Sequence, residues 1–296
     1  MAHVDDDGTR ALGATGLRAA AIGFGGGALG EASLDDDGAR ALVHAVRARG
    51  VRFFDTARSY GESEARLARA LDDDGESVVC TKLGYGVAGV ADWTYDAVAR
   101  GVDEARARLA RDTIDVVALH SCPRHVLERG EVVRALEDAR AAGRVRVTAY
   151  AGDDEALWWA VEHGPFGLVI ASYSVVDQKN ARALARAKEK GQAVVVKRAL
   201  GNMAFAGDVD PRAPDRVELQ RRFRALALDL GPDPFETLVR FASQAPFVDV
   251  TLIGTRKASR VEDAIRAHAK GPLDEETRAR IVQRYAEVGS AWDPVV

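Results

Sequence analysis

The chain has 296 residues, 47% of them hydrophobic and 29% charged, with a net charge of −4. That is the balance of a globular protein with a large core, long for one ordinary domain but normal for an α/β barrel. No basic balance points to nucleic acid or an anionic membrane; no run approaches the ~18 apolar residues of a membrane span; and two cysteines, Cys80 and Cys122, are too few for a disulfide framework and fit a reducing cytoplasm.

Residues 1–9 read as an acidic leader without the apolar stretch of a signal peptide. Residues 10–18 read as two short strands around a glycine turn. A buried strand over 19–24 runs into Gly25-Gly26-Gly27. A helix over about 35–49 places Ala39, Leu42, Val43 and Val46 on one face, and Gly50 stops it. The alternation then repeats. Strand 51–54 precedes a helix near 62–71, strand 78–81 a helix near 94–111, and strand 115–119 a helix near 125–142. Strand 145–149 precedes a helix near 153–163, and strand 167–173 one near 177–190. Strand 193–196 is followed by an irregular stretch over about 200–216, then helices near 216–229 and 233–244. Strand 248–253 precedes a helix near 258–268, and a last helix covers 274–288.

These are eight strand–helix units whose short apolar strands lack clean alternation, as buried parallel strands do. Eight such units in one chain predict a (β/α)8 (TIM) barrel, and no linker interrupts them, so residues 1–296 are read as one domain. Asp-Asp-Asp-Gly recurs at 5–8, 35–38 and 72–75. It lacks the alternate-residue spacing and closing glutamate of a calcium loop, so it reads as solvated loops and acidic helix starts.

In such a barrel the chemistry gathers at the C-terminal ends of the strands. Asp55, Lys82 and His120 fall at the ends of strands two, three and four, and Tyr60 lies in the loop after strand two. Alone, each has a bland reading: a helix cap, a satisfied aromatic, a solvated lysine, a satisfied histidine. Together they form a proton-transfer set. A free tyrosine, with a pKa of about 10, is a poor acid near neutrality. A neighbouring Lys82 ammonium lowers that pKa, Asp55 supplies the lysine's counter-charge, and His120 can donate to a carbonyl oxygen beside Tyr60. No serine or cysteine elbow and no metal-ligand spacing is present, so no metal site is expected. A tyrosine that protonates a carbonyl oxygen needs a hydride donor, which no side chain is, and a nicotinamide cofactor fills that gap.

With these residues in view the chain resembles the aldo-keto reductase family, from Leu12-Gly13-Ala14-Thr15-Gly16-Leu17 to about residue 270. The most specific segment is Phe54-Asp55-Thr56-Ala57-Arg58-Ser59-Tyr60-Gly61-Glu62-Ser63-Glu64, with Thr81-Lys82 and Leu119-His120-Ser121 completing the set. The resemblance implies an N-terminal hairpin closing the barrel bottom, Tyr60 as general acid in reduction and base in oxidation, Asp55 and Lys82 tuning it, and His120 orienting the carbonyl. It implies a cofactor along Gly25 and Gly26, Asp55, Lys197, Arg198 and Leu200, then Gly254, Thr255, Arg256, Lys257, Arg260 and Asp263. The helix start and the cations Arg256, Lys257 and Arg260 favour NADP(H) over NAD(H).

Loop position assigns the substrate pocket to Phe24, Arg58, Tyr85, Trp93, Ser121 and Cys122. The chain departs from the family at Ala151-Gly152, Ile170, Lys197 and Ala264, where side chains that hold the carboxamide, stack on the ring or contact the cofactor are common. Tyr173, Asp153, Arg198 or backbone groups are candidates to take over, and Lys197 or Arg198 could favour an acidic substrate. The expected partner is a small carbonyl or alcohol. Competing readings are a cofactor-binding regulatory subunit and a metal-dependent barrel hydrolase.

Overall fold

The computed structural model describes residues 8–71, 75–207 and 209–293. Most of the acidic leader (1–7), the third aspartate triplet (72–74) and the last three residues therefore lie outside the described residues. Two short strands, β1 (Arg10–Ala11) and β2 (Arg18–Ala19), pair antiparallel as a hairpin. Eight parallel strands then close a barrel. They are β3 (Ile22–Gly25), β4 (Phe53–Asp55), β5 (Val78–Leu83), β6 (Ile114–His120), β7 (Val145–Ala151), β8 (Leu168–Ser172), β9 (Ala193–Lys197) and β10 (Val250–Gly254), and β10 pairs with β3 to shut the ring.

The helices lie between and outside the strands: α1 (Asp36–Arg47), α2 (Ser63–Leu71), α3 (Tyr95–Leu109), α4 (Arg124–Arg129), α5 (Glu131–Ala141), α6 (Asp154–His163), α7 (Ala181–Glu189), α8 (Pro214–Leu226), α9 (Pro234–Ser243), α10 (Ala258–Ala269) and α11 (Glu275–Val288). The one helix expected over 125–142 is two. Gly130 adopts φ 80, a left-handed conformation that ends α4, and α5 starts at the next residue. The triplet at 35–37 is an acidic helix start, with the Asp35 side chain accepting from Gly38 N at 2.7 Å.

Both faces of the strands are buried, which is why their sequences lack polar alternation. The pleat nevertheless sorts side chains into two cores. Phe53, Cys80, Val116, Ala118, Ala149, Ile170 and Val195 fill the barrel, while Phe24, Phe54, Val79, Val117 and Leu119 pack outward against the helices. Leu12, Leu17 and Ala19 of the hairpin belong to the interior core and plug its base. Gly13 allows this contact. It has φ 51, and a Cβ there would lie 2.4 Å from the Gly191 carbonyl just before β9.

Candidate active site

The two-residue strand period decides which chemistry reaches the barrel mouth. On β4, Phe53 faces in, so Phe54 faces out and Asp55 faces in. On β5, Cys80 faces in and so does Lys82; on β6, Ala118 and His120; on β9, Val195 and Lys197. All four polar residues line one cavity of about 950 Å³, together with Tyr60.

Tyr60 is set by a tightly laced loop. Thr56 N donates to Cys80 O at 2.7 Å and Arg58 N to Lys82 O at 3.1 Å, tying the loop to β5. Ser63 Oγ accepts from Thr56 Oγ1 and donates to Gly26 O, both at 2.8 Å. The Tyr60 carbonyl then rests on the short 3-10 turn at Gly26–Gly30, where a Cβ on Gly30 would lie 1.8 Å from it. A backbone can approach this closely only where the facing residue has no side chain.

Lys82 Nζ donates to the Asp55 carboxylate and to Thr56 O, each at 2.7 Å, and lies 5.0 Å from the centre of the Tyr60 ring. The pair is almost fully buried, with 3% of the lysine and 5% of the aspartate side chain exposed. Burial opposes the ammonium, but Asp55 and Tyr60 outweigh it and hold Lys82 above the usual lysine range. Burial also raises Asp55, with Lys82 pulling it back. For Tyr60 the balance differs from the sequence expectation. Lys82 does lower its pKa, but burial and the Asp55 charge together outweigh the lysine, and the phenol stays above its ordinary value. The phenol is thus a protonated group at neutral pH with a cation against its ring.

His120 meets the Tyr60 ring edge to face at 6.0 Å, and burial with the charges of Lys82 and Lys197 pushes it down to about 3. It is a neutral imidazole across physiological pH. Lys197 Nζ lies 3.0 Å from Asp153 Oδ2. Asp153 Oδ1 is held by Ser172 N at 2.7 Å and Asn180 Nδ2 at 2.8 Å. The cluster of Asp153, Ser172, Asn180 and Lys197 therefore occupies the side where Ala151 and Ile170 offer no polar side chain. The sequence signal for it was the aspartate just after Ala151-Gly152; Asn180 gave none.

Of the expected cofactor residues, Gly25, Asp55, Lys197, Arg198, Leu200, Gly254, Thr255 and Arg256 line the cavity. Gly26 supports the Tyr60 loop instead. Lys257, Arg260 and Asp263 lie outside the wall, at and just inside the start of α10. There Arg260 stacks on Phe235 at 5.4 Å and Asp263 pairs with Arg266. Arg256 crosses from the β10 loop to Ser33 at 3.0 Å and Glu31 at 3.4 Å. Arg216, which no motif marked, also lines this end, and its Nε is buried without a hydrogen-bond partner. Glycine walls at Gly25 and Gly254 and an orphaned guanidinium donor fit an extended anionic cofactor.

Of the expected pocket walls, Ser121 and Cys122 line the cavity, and burial pushes the Cys122 thiol up to about 12, an inert lining group. Phe24 is fully buried against Phe54 in the outer core because it precedes Gly25 on an outward-facing position. Arg58 binds Gly86 O at 2.6 Å and pairs with Glu104, so it clasps two loops together. Tyr85 stacks on His120, Trp93 packs against the Tyr85 ring, and neither lines the cavity.

At the mouth of the closed parallel barrel a protonated phenol and a neutral imidazole share one cavity with a buried lysine–aspartate pair. Residues 21–286 match the Aldo/keto reductase family, and the chain belongs to it. The chain is 26% identical over 278 residues to L-galactose dehydrogenase of Arabidopsis thaliana, covering 87% of each. It is 27% identical over 276 residues to D-threo-aldose 1-dehydrogenase of a Pseudomonas species, covering 82% of each. Its fold matches an aldo-keto reductase from Bacillus halodurans in the holo form with a TM-score of 0.79, 22% identity, and coverage of 93% of this chain and 95% of that one. The family uses nicotinamide cofactors, and the chain is an enzyme of the aldo-keto reductase type acting on carbonyl and alcohol groups.

Proposed function

We propose that this protein transfers hydride reversibly between NADP(H) and a small aldehyde, ketone or sugar, with Tyr60 as general acid in reduction and general base in oxidation. The observation that carries the reading is the convergence of Tyr60, Lys82 and His120 on one cavity wall, with the Lys82 ammonium 5.0 Å from the Tyr60 ring centre. The two sugar dehydrogenases among the relatives favour a hydroxylated substrate. Cytoplasmic residence goes with the same reading, since both cysteines are free and buried.

Gly25, Lys197, Arg198, Leu200, Arg216, Gly254, Thr255 and Arg256 would hold the cofactor, which when bound supplies the hydride. The rest belongs to the chain. His120 donates to the carbonyl oxygen and fixes it beside the Tyr60 hydroxyl. Tyr60 gives its proton to that oxygen as negative charge develops there. The phenolate so formed is stabilised by Lys82, whose charge Asp55 keeps fixed in place. General acid catalysis of this kind is worth roughly 10²–10⁴ in rate. Arg256 is the cation assigned to an additional phosphate of NADP.

The test is a fluorescence titration with NADPH and with NADH, followed by turnover of an aldehyde and sugar panel. Tyr60→Phe should bind NADPH normally and lose at least a hundredfold in kcat. Turnover that survives in Tyr60→Phe, or wild-type protein that binds neither nucleotide, would refute the proposal.

A further inference from the structure

The loop after β5 folds back over the outer side of His120. Trp93, at φ 60, donates its backbone N–H to Gly84 O at 2.8 Å, and its indole takes the space of a Gly84 side chain, 2.2 Å from where a Cβ would be. Tyr85 is thereby held between two rings. Its centre lies 5.5 Å from that of Trp93 and 5.8 Å from that of His120, with 23° between the Tyr85 and His120 planes. Its hydroxyl oxygen lies 3.0 Å from His120 Nδ1 and 3.3 Å from Ser59 Oγ.

This chain of three groups could run in either direction. A phenol is a far stronger proton donor than a neutral imidazole N–H, and an imidazole nitrogen accepts far better than a phenol oxygen. The favoured direction at the ring is therefore Tyr85 donating to Nδ1, with the Ser59 hydroxyl beside the same phenol oxygen. His120, neutral at physiological pH, carries one ring proton, and with Nδ1 accepting, that proton is on Nε2.

We propose that Tyr85 is a positioning residue that fixes His120 as its Nε2–H tautomer, so that the ring offers a donor and not a lone pair to a carbonyl oxygen in the cavity. The proposal rests on the carbonyl chemistry assigned to the site above. Without the Tyr85 hydroxyl no hydrogen-bond donor holds Nδ1 as an acceptor. The Nδ1–H form would then be populated, leaving a lone pair on Nε2 to repel the carbonyl oxygen.

Tyr85→Phe keeps both ring contacts and removes only the hydroxyl. The direct readout is ¹⁵N NMR of histidine-labelled full chain at neutral pH, with the His120 signals identified by their loss in His120→Gln. Wild type should show one Nε2–H tautomer with a hydrogen-bonded Nδ1, and Tyr85→Phe a mixture. Aldehyde reduction by NADPH should fall about tenfold in kcat with the KM for NADPH unchanged, the factor expected for one lost hydrogen bond. Ser59→Ala should lower kcat less and leave the tautomer in place. An Nδ1–H tautomer in wild type, or an unchanged spectrum in Tyr85→Phe, would overturn the proposal whatever the rate. Absence of any turnover in wild type would overturn the functional reading, and the spectrum alone would then decide the tautomer.

Discussion

Replacing Lys82 by methionine isolates the energetics of the buried pair. The side chain keeps its length, and the ammonium that contacts Asp55 and Thr56 O at 2.7 Å is gone. At that distance the pair attraction is about 6 kcal/mol for an effective dielectric of about 20. Desolvation offsets part of it, and breaking such a pair costs about 3–5 kcal/mol. The variant has one escape: Asp55 takes up a proton. In the unfolded chain that carboxyl has a pKa of about 3.9, so holding it protonated costs 1.36 kcal/mol per pH unit above that value, about 4 kcal/mol at pH 7 and about 1.5 kcal/mol at pH 5.

The sign follows from burial, which raises Asp55 even with the lysine present. A raised folded pKa gives stability that is full below the unfolded pKa and is lost as pH rises toward the folded one. Lys82→Met should therefore be strongly destabilised at pH 7–8 and recover most of the difference from wild type by pH 5. Urea unfolding of both proteins at pH 5, 6, 7 and 8 measures this, and Lys82→Met/Asp55→Leu should regain much of the loss at pH 7. A destabilisation that does not change with pH would sink the argument, because it would mean that no carboxylate is left stranded.

Gly30→Ala places a methyl group 1.8 Å from the Tyr60 carbonyl, so the tyrosine loop must move; kcat should fall at least tenfold with a smaller change in NADPH affinity, and wild-type kinetics would show that the contact is dispensable. Because burial and two lysines push His120 down to about 3 from 6.5, the folded state resists protonation there, and stability is lost as pH falls through that interval. His120→Gln should flatten this acid limb of the unfolding profile, and an unaltered limb would refute the assignment. Arg256→Ser, removing an exposed guanidinium at the cavity edge, should weaken NADPH about tenfold and NADH much less in a fluorescence titration. Equal losses for both nucleotides would remove Arg256 from the phosphate site.

The barrel was legible because its cause is local. Eight short apolar runs separated by amphipathic helices leave few other ways to bury the strands, and Asp55, Lys82 and His120 fall where those runs end. Their shared direction also follows from the strand period once one inward residue is known. The break at Gly130 was visible only as a glycine, since a helix interior tolerates one at modest cost, and the left-handed turn there is set by how α4 and α5 pack.

What the sequence could not supply was distance across the chain. That Gly30 carries the Tyr60 backbone, that Asp153 bonds Lys197 and Asn180, and that Tyr85 meets His120 rather than the cavity all depend on loops from different strands converging at one rim. The same holds for the sign of the Tyr60 shift. The sequence names the lysine that lowers it, but burial, which together with the Asp55 charge outweighs that lysine, is a property of the closed barrel and exists in no segment of the chain alone.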